Sequence, residues 1–379
     1  MVKNKFFFPT FFLLLVFLIY FRAPCIFFDQ GHWQIKEDSF YEYSLQNNFL
    51  KSALYVYDFG GYFEFTRNLI TKFSTYFPII SQKISTYFTA IIYLAIFSYI
   101  YFSKSIIFYN KNFKILFVCL ILFSPPMTPE IWLTPAHIKA YFGIFTFVLL
   151  FEDFSFFTNH KKKLYRLIII FSGLSSIYAS VLAPIFFLKF ILEKKKDNFL
   201  NFLCSLLPLM INFFIFIFSF SNSDRFSFDI NKIESFAYNI LIRPFFGSSI
   251  PKFFHEKLNF ISSGSIFIAL FLIIIFSIFF VYNVLKKRKD NVTILIISSF
   301  ILHSAFVLIG SLYPNFVGGR YAVIPGIILL TLFIRLFQLE NNYLLKYVFG
   351  FFILMSLTTG FLEFKYFSPL PNIIGCINL

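Results

Sequence analysis

The sequence predicts an all-α protein: a polytopic transmembrane bundle of about eleven hydrophobic segments, nine spanning and two forming a short hairpin. Three observations predict it. Of 379 residues, 58% are hydrophobic and 13% charged, against about 25% charged in a soluble domain. Runs such as 11–20 and 266–285 carry no charge, and a spanning helix needs about 20 mainly apolar residues to cross roughly 30 Å of hydrocarbon. Basic clusters punctuate these runs with a consistent sidedness. The alternating pattern of an outer-membrane barrel is not seen.

The segments fall at about 6–28, 84–103, 115–129, 140–158, 167–179, 181–192, 199–220, 262–285, 292–313, 321–337 and 344–362. The first follows Lys3 and Lys5 but lacks a small-x-small cleavage site, so it reads as an uncleaved helix rather than a signal peptide. Arg22-Ala23-Pro24 before Cys25 is a poor lipoprotein site. The stretch 167–192 has Lys161, Lys162, Lys163 and Arg166 before it and Lys194, Lys195 and Lys196 after it. Two basic flanks belong on one side. Helix breakers from Ser172-Gly173 to Ala183-Pro184 then give a short hairpin that enters and leaves on the cytoplasmic side; the alternative is one kinked, tilted helix. Broken backbone at that depth must be buried in protein or line a cavity.

Nine crossings put the N-terminus inside and the C-terminus outside. Inside loops then hold 19 Lys and Arg against 6 Asp and Glu; outside loops hold 14 against 12. Most of the net charge of +15 is therefore a topology signal, and nucleic-acid binding is not called for. The whole chain is one membrane domain with external loops at 29–83, 125–139 and 221–261. The 65 Phe read as base-composition bias, since Phe suits lipid about as well as Leu. Cys25, Cys119, Cys204 and Cys376 have no metal-type spacing; Cys119 and Cys204 read as core residues, and a Cys25–Cys376 disulfide is the less favoured reading of the other two. His303, beside Ser304, is the most central ionisable side chain, while Lys189 and Arg335 lie near inner helix ends where they can snorkel.

Polar groups suited to chemistry gather on the external side. Asp29, in Phe28-Asp29-Gln30-Gly31-His32-Trp33, ends the first segment, where the helix dipole gives a carboxylate no support; the bland reading is a solvated Asp and an interfacial Trp. Glu130 and His137 lie in a stretch with prolines at 125, 126, 129 and 135, which forbid a continuous helix. Arg67 follows Gly60-Gly61-Tyr62, and Arg320 stands in Gly318-Gly319-Arg320-Tyr321 before a helix. Arg binds phosphate bidentately, glycines allow close backbone approach, and the helix start favours an anion; each Arg could equally pair with a lipid phosphate. There is no P-loop, GxSxG, HExxH or CxxC pattern.

This arrangement resembles the GT-C superfamily of membrane glycosyltransferases, which includes protein O-mannosyltransferases and oligosaccharyltransferases. Asp29 after the first helix, Gly61-Tyr62 with Arg67, Glu130 with His137, and Gly319-Arg320-Tyr321 also look like motifs of bacterial multi-spanning proteins assigned to glycosyl transfer. The resemblance implies a polyprenyl-phosphate-linked sugar as donor, in the inner membrane of a bacterium. It implies Asp29 as base toward the acceptor, Glu130 assisting acceptor or metal, and Arg320 with Arg67 holding the donor phosphate. His32, Trp33, Tyr62, His137 and Tyr321 would line the substrate. Asp29-Gln30-Gly31 departs from an Asp-x-Asp pair, so a divalent metal is compatible with the resemblance but lacks that motif. Two alternatives stay open: a transporter or flippase of lipid or polysaccharide, disfavoured by the lack of repeats and deep charges, and a polysaccharide polymerase or ligase using Arg225 and Arg243.

Overall fold

The computed structural model describes residues 7–22, 25–28, 39–56, 63–125, 131–219, 231–250, 264–286, 290–310 and 322–366. Among them the chain is helical throughout, with no strand beyond two isolated bridges, Val56 with Phe63 and Ser105 with Glu152. Four helices are long and apolar enough to cross a bilayer: Ser81–Phe102, Lys196–Phe218, Asn291–Ile309 and Tyr343–Glu363. Four more apolar helices are shorter, Pro9–Arg22, Pro135–Leu150, Phe267–Asn283 and Val323–Leu339, so helix length alone does not return the eleven-segment count.

The helices are α1 (Phe7–Arg22), α2 (Cys25–Phe28), α3 (Ser39–Gln46), α4 (Phe49–Ala53), α5 (Phe65–Ser74), α6 (Ser81–Phe102), α7 (Lys111–Phe123), α8 (Ile138–Leu150), α9 (Asn159–Ser175), α10 (Ile177–Ser180), α11 (Ala183–Glu193) and α12 (Lys196–Ser219). They continue as α13 (Asn231–Phe236), a π-helical turn (Ala237–Ile242), α14 (Arg243–Phe246), α15 (Gly264–Lys286), α16 (Asn291–Gly310), α17 (Val323–Leu339) and α18 (Tyr343–Tyr366). Helices α8 and α17 sit at the centre, buried almost all round. Helices α1, α12, α15 and α18 form the rim. On α1 the stripe Phe11, Leu15, Ile19 and Arg22 is buried while Leu13, Phe17 and Phe21 face outward. Most outward side chains of the rim helices are apolar, which suits lipid and not water.

The stretch 159–196 is a hairpin. Helix α9 packs in parallel against α12: Lys162 pairs with Asp197 at 2.7 Å, Arg166 donates to Asp197 at 2.6 Å and to Asn201 at 3.3 Å. One turn after another keeps the same offset of 35 residues. It ends where Gly173 meets Pro208 so closely that a Cβ at Gly173 would overlap the proline ring. Helix α11 runs back antiparallel to α12, with Phe187 against Phe202 and Phe190 against Phe199. Both basic flanks thus share one end of the bundle, as a single kinked crossing would not allow. The break is at Ser176, extended at φ −155° and capping α10 through its hydroxyl. Contrary to the sequence reading, the first basic cluster is not a loop; Lys161, Lys162, Lys163 and Arg166 form the opening turns of α9. At 17 residues α9 rises about 25 Å, so the hairpin is no short pair but reaches the opposite end of the bundle.

The basic end is held by cations that cap helix C-termini. The Lys189 ammonium donates to the Leu150 carbonyl at 2.7 Å and the Glu152 carbonyl at 3.2 Å, and Lys114 donates to the Ser103 carbonyl. Arg335 forks onto Asp290 at 3.1 and 3.2 Å, and Lys286 pairs with Glu340 at 2.9 Å. Lys189 and Arg335 therefore do not snorkel; both are buried because the last carbonyls of α8, and Asp290, need a partner. His303 is satisfied by main-chain carbonyls. Its Nδ1 lies 3.0 Å from the Ser299 carbonyl and its Nε2 2.9 Å from the Tyr178 carbonyl of the broken hairpin, while the Ser304 hydroxyl takes no part.

Candidate functional site

Opposite the basic end, helix α5, the 3-10 turn Pro135–His137 and the hairpin tip converge. The segment before α5 is anchored by the Phe63 N–H, which donates to the Asn212 side chain at 2.9 Å, and Asn212 in turn donates to the Pro208 carbonyl at 3.0 Å. Thr66 and Ser175 share a hydroxyl hydrogen bond at 2.6 Å, and Ser176 donates to the Lys139 carbonyl at 2.6 Å. The hairpin break thus fixes both the start of α5 and the start of α8.

Between them lies a three-residue ion cluster. Glu64, only 3% exposed, accepts from Arg67 Nη1 at 2.7 Å through one oxygen and from Lys139 Nζ at 2.6 Å through the other. The Arg67 guanidinium lies on the Phe40 ring, 3.6 Å from its centroid. Burial alone would raise the Glu64 pKa, but the adjacent Lys139 and Arg67 charges outweigh it and hold it below the usual carboxylate range. A desolvated carboxylate survives only when paired on both oxygens, and this one is.

A second cation lies at the same end. Arg22, at the close of α1, turns inward and places its guanidinium 4.4 Å from the Trp132 ring centroid and 5.8 Å from that of Phe123. Trp132 packs edge-on against Tyr93 at 5.5 Å, and Tyr93 stacks on Tyr141 at 3.6 Å. Tyr141 lies on α8, the helix whose first turn carries Lys139. Tyr93 also donates to the Ile131 carbonyl at 3.3 Å. Beside it Leu133 is forced to φ 55° while fully buried, a left-handed conformation that costs a non-glycine residue about 1–3 kcal/mol. Four prolines in this stretch leave the chain few other paths.

Of the residues singled out from the sequence, Arg67 and His137 are brought to this end, on α5 and on the turn leading into α8. Asp29, His32, Trp33, Tyr62, Glu130, Arg320 and Tyr321 lie outside the described residues. Among the described residues no three His, Cys, Asp or Glu side chains converge as a metal site would. Sequence reasoning missed Glu64, Lys139 and Arg22. The spacing of Glu64 to Arg67, one helical turn, was a legible signal; the pairing of Glu64 with Lys139, 75 residues apart, was not. Comparison with protein-family models, with curated proteins and with solved structures finds no match to this chain.

Proposed function

We propose that this chain is a glycosyltransferase of hexosyltransferase type, taking a sugar from a polyprenyl-phosphate-linked donor at the outer face of a bacterial inner membrane. The observation that carries the reading is the Arg67–Glu64–Lys139 cluster, two cations fixed on one buried carboxylate at the end opposite the basic loops. By the positive-inside rule the basic end is cytoplasmic, which puts the cluster outside and agrees with an N-terminus inside and a C-terminus outside.

A lipid phosphate is a good leaving group, so the demands on the protein are modest. An acceptor hydroxyl attacks the anomeric carbon, and its proton passes to the Asp29 carboxylate. The bond from that carbon to the phosphate oxygen breaks, and its electron pair leaves with the polyprenyl phosphate. Arg67, Lys139 and Arg320 stabilise the charge that develops there. Glu130 assists the acceptor or a divalent metal, and His32, Trp33, Tyr62, His137 and Tyr321 contact the sugar and its carrier.

The test uses full-length protein in lipid vesicles. Arg67→Gln with Lys139→Gln should weaken binding of a polyprenyl phosphate by about 10-fold or more, since two charge-assisted contacts are lost. Asp29→Asn should abolish sugar transfer yet leave that binding intact. Unchanged binding in the double variant sinks the reading. Movement of the lipid across the bilayer that survives Asp29→Asn would favour a flippase instead.

A further inference from the structure

The sequence places residues 39–80 in an external loop, yet helices α3 to α5 form a compact cap with its polar needs met internally. The buried Lys72 ammonium donates to the Ser44 carbonyl at 2.8 Å and the Asn47 carbonyl at 2.7 Å, locking the α3–α4 corner onto α5. The Asn68 amide donates to the Ala53 and Tyr55 carbonyls at 3.1 and 2.8 Å. Phe40, Tyr41, Ala53 and Ile70 fill the inner side.

The outer side is the anomaly. Leu50 is 67% exposed, Leu54 58% and Ile79 90%, and Phe49, Tyr76 and Phe77 are exposed with them. Scattered apolar side chains on a surface need no explanation, but a contiguous group marks an interaction surface. Three contacts show where this side leads. Tyr76 lies under the Lys72 ammonium at 5.3 Å, beside the α3–α4 corner. Phe73 meets Phe77 at 5.6 Å and Phe88 of α6 at 4.8 Å. Beyond Phe88, the outward face of α6 continues with the exposed Tyr87 and Ile91, and α6 is long and apolar enough to span a bilayer. Through Phe77, Phe73 and Phe88, apolar side chains of the turn after α5 therefore continue onto the outward side of a helix long enough to span.

We propose that α3, α4, α5 and the turn after them are an interfacial cap seated in phospholipid at the bundle end opposite the basic loops. Leu50, Leu54 and Ile79 enter the boundary between headgroups and acyl chains, and Glu42 and Lys51 remain at the water side. Amphipathic elements lie in the interface in this way, with the apolar face sunk about 5–10 Å. The occupant is lipid because the patch continues a lipid-facing surface. The seating goes beyond glycosyl transfer and holds whether or not that reading does. Where both hold, the Arg67–Glu64–Lys139 cluster, which joins this cap to the start of α8, meets a phosphate borne on lipid.

The experiment introduces single cysteines by Leu50→Cys, Leu54→Cys, Ile79→Cys, Glu42→Cys and Lys51→Cys into full-length protein whose four native cysteines are replaced by serine, in phospholipid vesicles. A charged, membrane-impermeant maleimide should label positions 50, 54 and 79 at least ten times more slowly than 42 and 51. A fluorophore attached at 50 or 79 should be quenched by lipid carrying a spin label near the top of its acyl chain. Equal labelling rates at all five positions would overturn the proposal by placing the patch in water. Protection without lipid quenching would overturn it by showing that protein, such as a second copy of this chain, covers the patch. Retained binding of polyprenyl phosphate has no bearing on either outcome, so failure here is distinct from failure of the transferase reading.

Discussion

Replacing Glu64 by Gln keeps the shape of the side chain and removes its charge, leaving Arg67 and Lys139 facing each other. With one N–O contact of 2.7 Å and one of 2.6 Å on opposite oxygens, the two cations are about 6 Å apart, and at an effective dielectric of about 20 their repulsion is roughly 3 kcal/mol. Breaking a fully buried pair costs about 3–5 kcal/mol. The cations here are partly exposed, 13% and 14%, so screening brings the expected loss to about 2–3 kcal/mol. In a thermal melt of the detergent-purified full chain this corresponds to a Tm lower by about 3 °C. Lys139→Met in the Glu64→Gln background should recover part of that loss, because it removes the repulsion; a double-mutant cycle reads the coupling directly. Phosphate added to the assay should raise the Tm of Glu64→Gln more than that of the native chain, since an anion then replaces the carboxylate. A Glu64→Gln protein that melts within about 1 °C of the native one, a difference worth about 0.8 kcal/mol, would refute the electrostatic reasoning.

The remaining expectations concern the frame. Gly173→Ala should destabilise by about 1–3 kcal/mol through overlap with the Pro208 ring, and Pro208→Ala in the same chain should relieve most of it; a melt of the three variants decides. Lys189→Met should cost about 1–3 kcal/mol because it strips the Leu150 and Glu152 carbonyls of a buried donor, and Lys189→Arg should cost less. Glu152 is buried between the Tyr99 hydroxyl at 2.9 Å and the Lys104 N–H at 3.0 Å, and its burial raises the carboxyl pKa despite those donors. The folded chain then binds this proton more tightly than the unfolded one, so its stability should rise as pH falls from the raised value toward the ordinary carboxylate range. Glu152→Gln should flatten the dependence of Tm on pH in that interval; an unchanged slope would contradict the assignment.

The sequence by itself determined that the chain is helical and membrane-borne, because uninterrupted apolar runs have no other stable solution in lipid. It also determined which loops share an end, since basic clusters are a sum over positions and need no knowledge of packing. Ser172-Gly173 and Ala183-Pro184 marked a broken hairpin for the same local reason. What the tertiary structure decided is what those breaks and charges touch. Nothing in the order of residues ties Asn212 to Phe63, Ser175 to Thr66, or Glu64 to Lys139; each contact spans 75 or more positions and depends on three helices meeting at one end. Arg22 was legible only as a cation at a helix end, where water or lipid phosphate is the ordinary partner; its inward turn onto Trp132 is set by the register of α1 against α6 and by the proline-forced path before α8. Helix periodicity reports which side of a segment is apolar. It does not report which distant polar group will fill the gap on the other side, and at this end of the bundle that choice is what forms the candidate site.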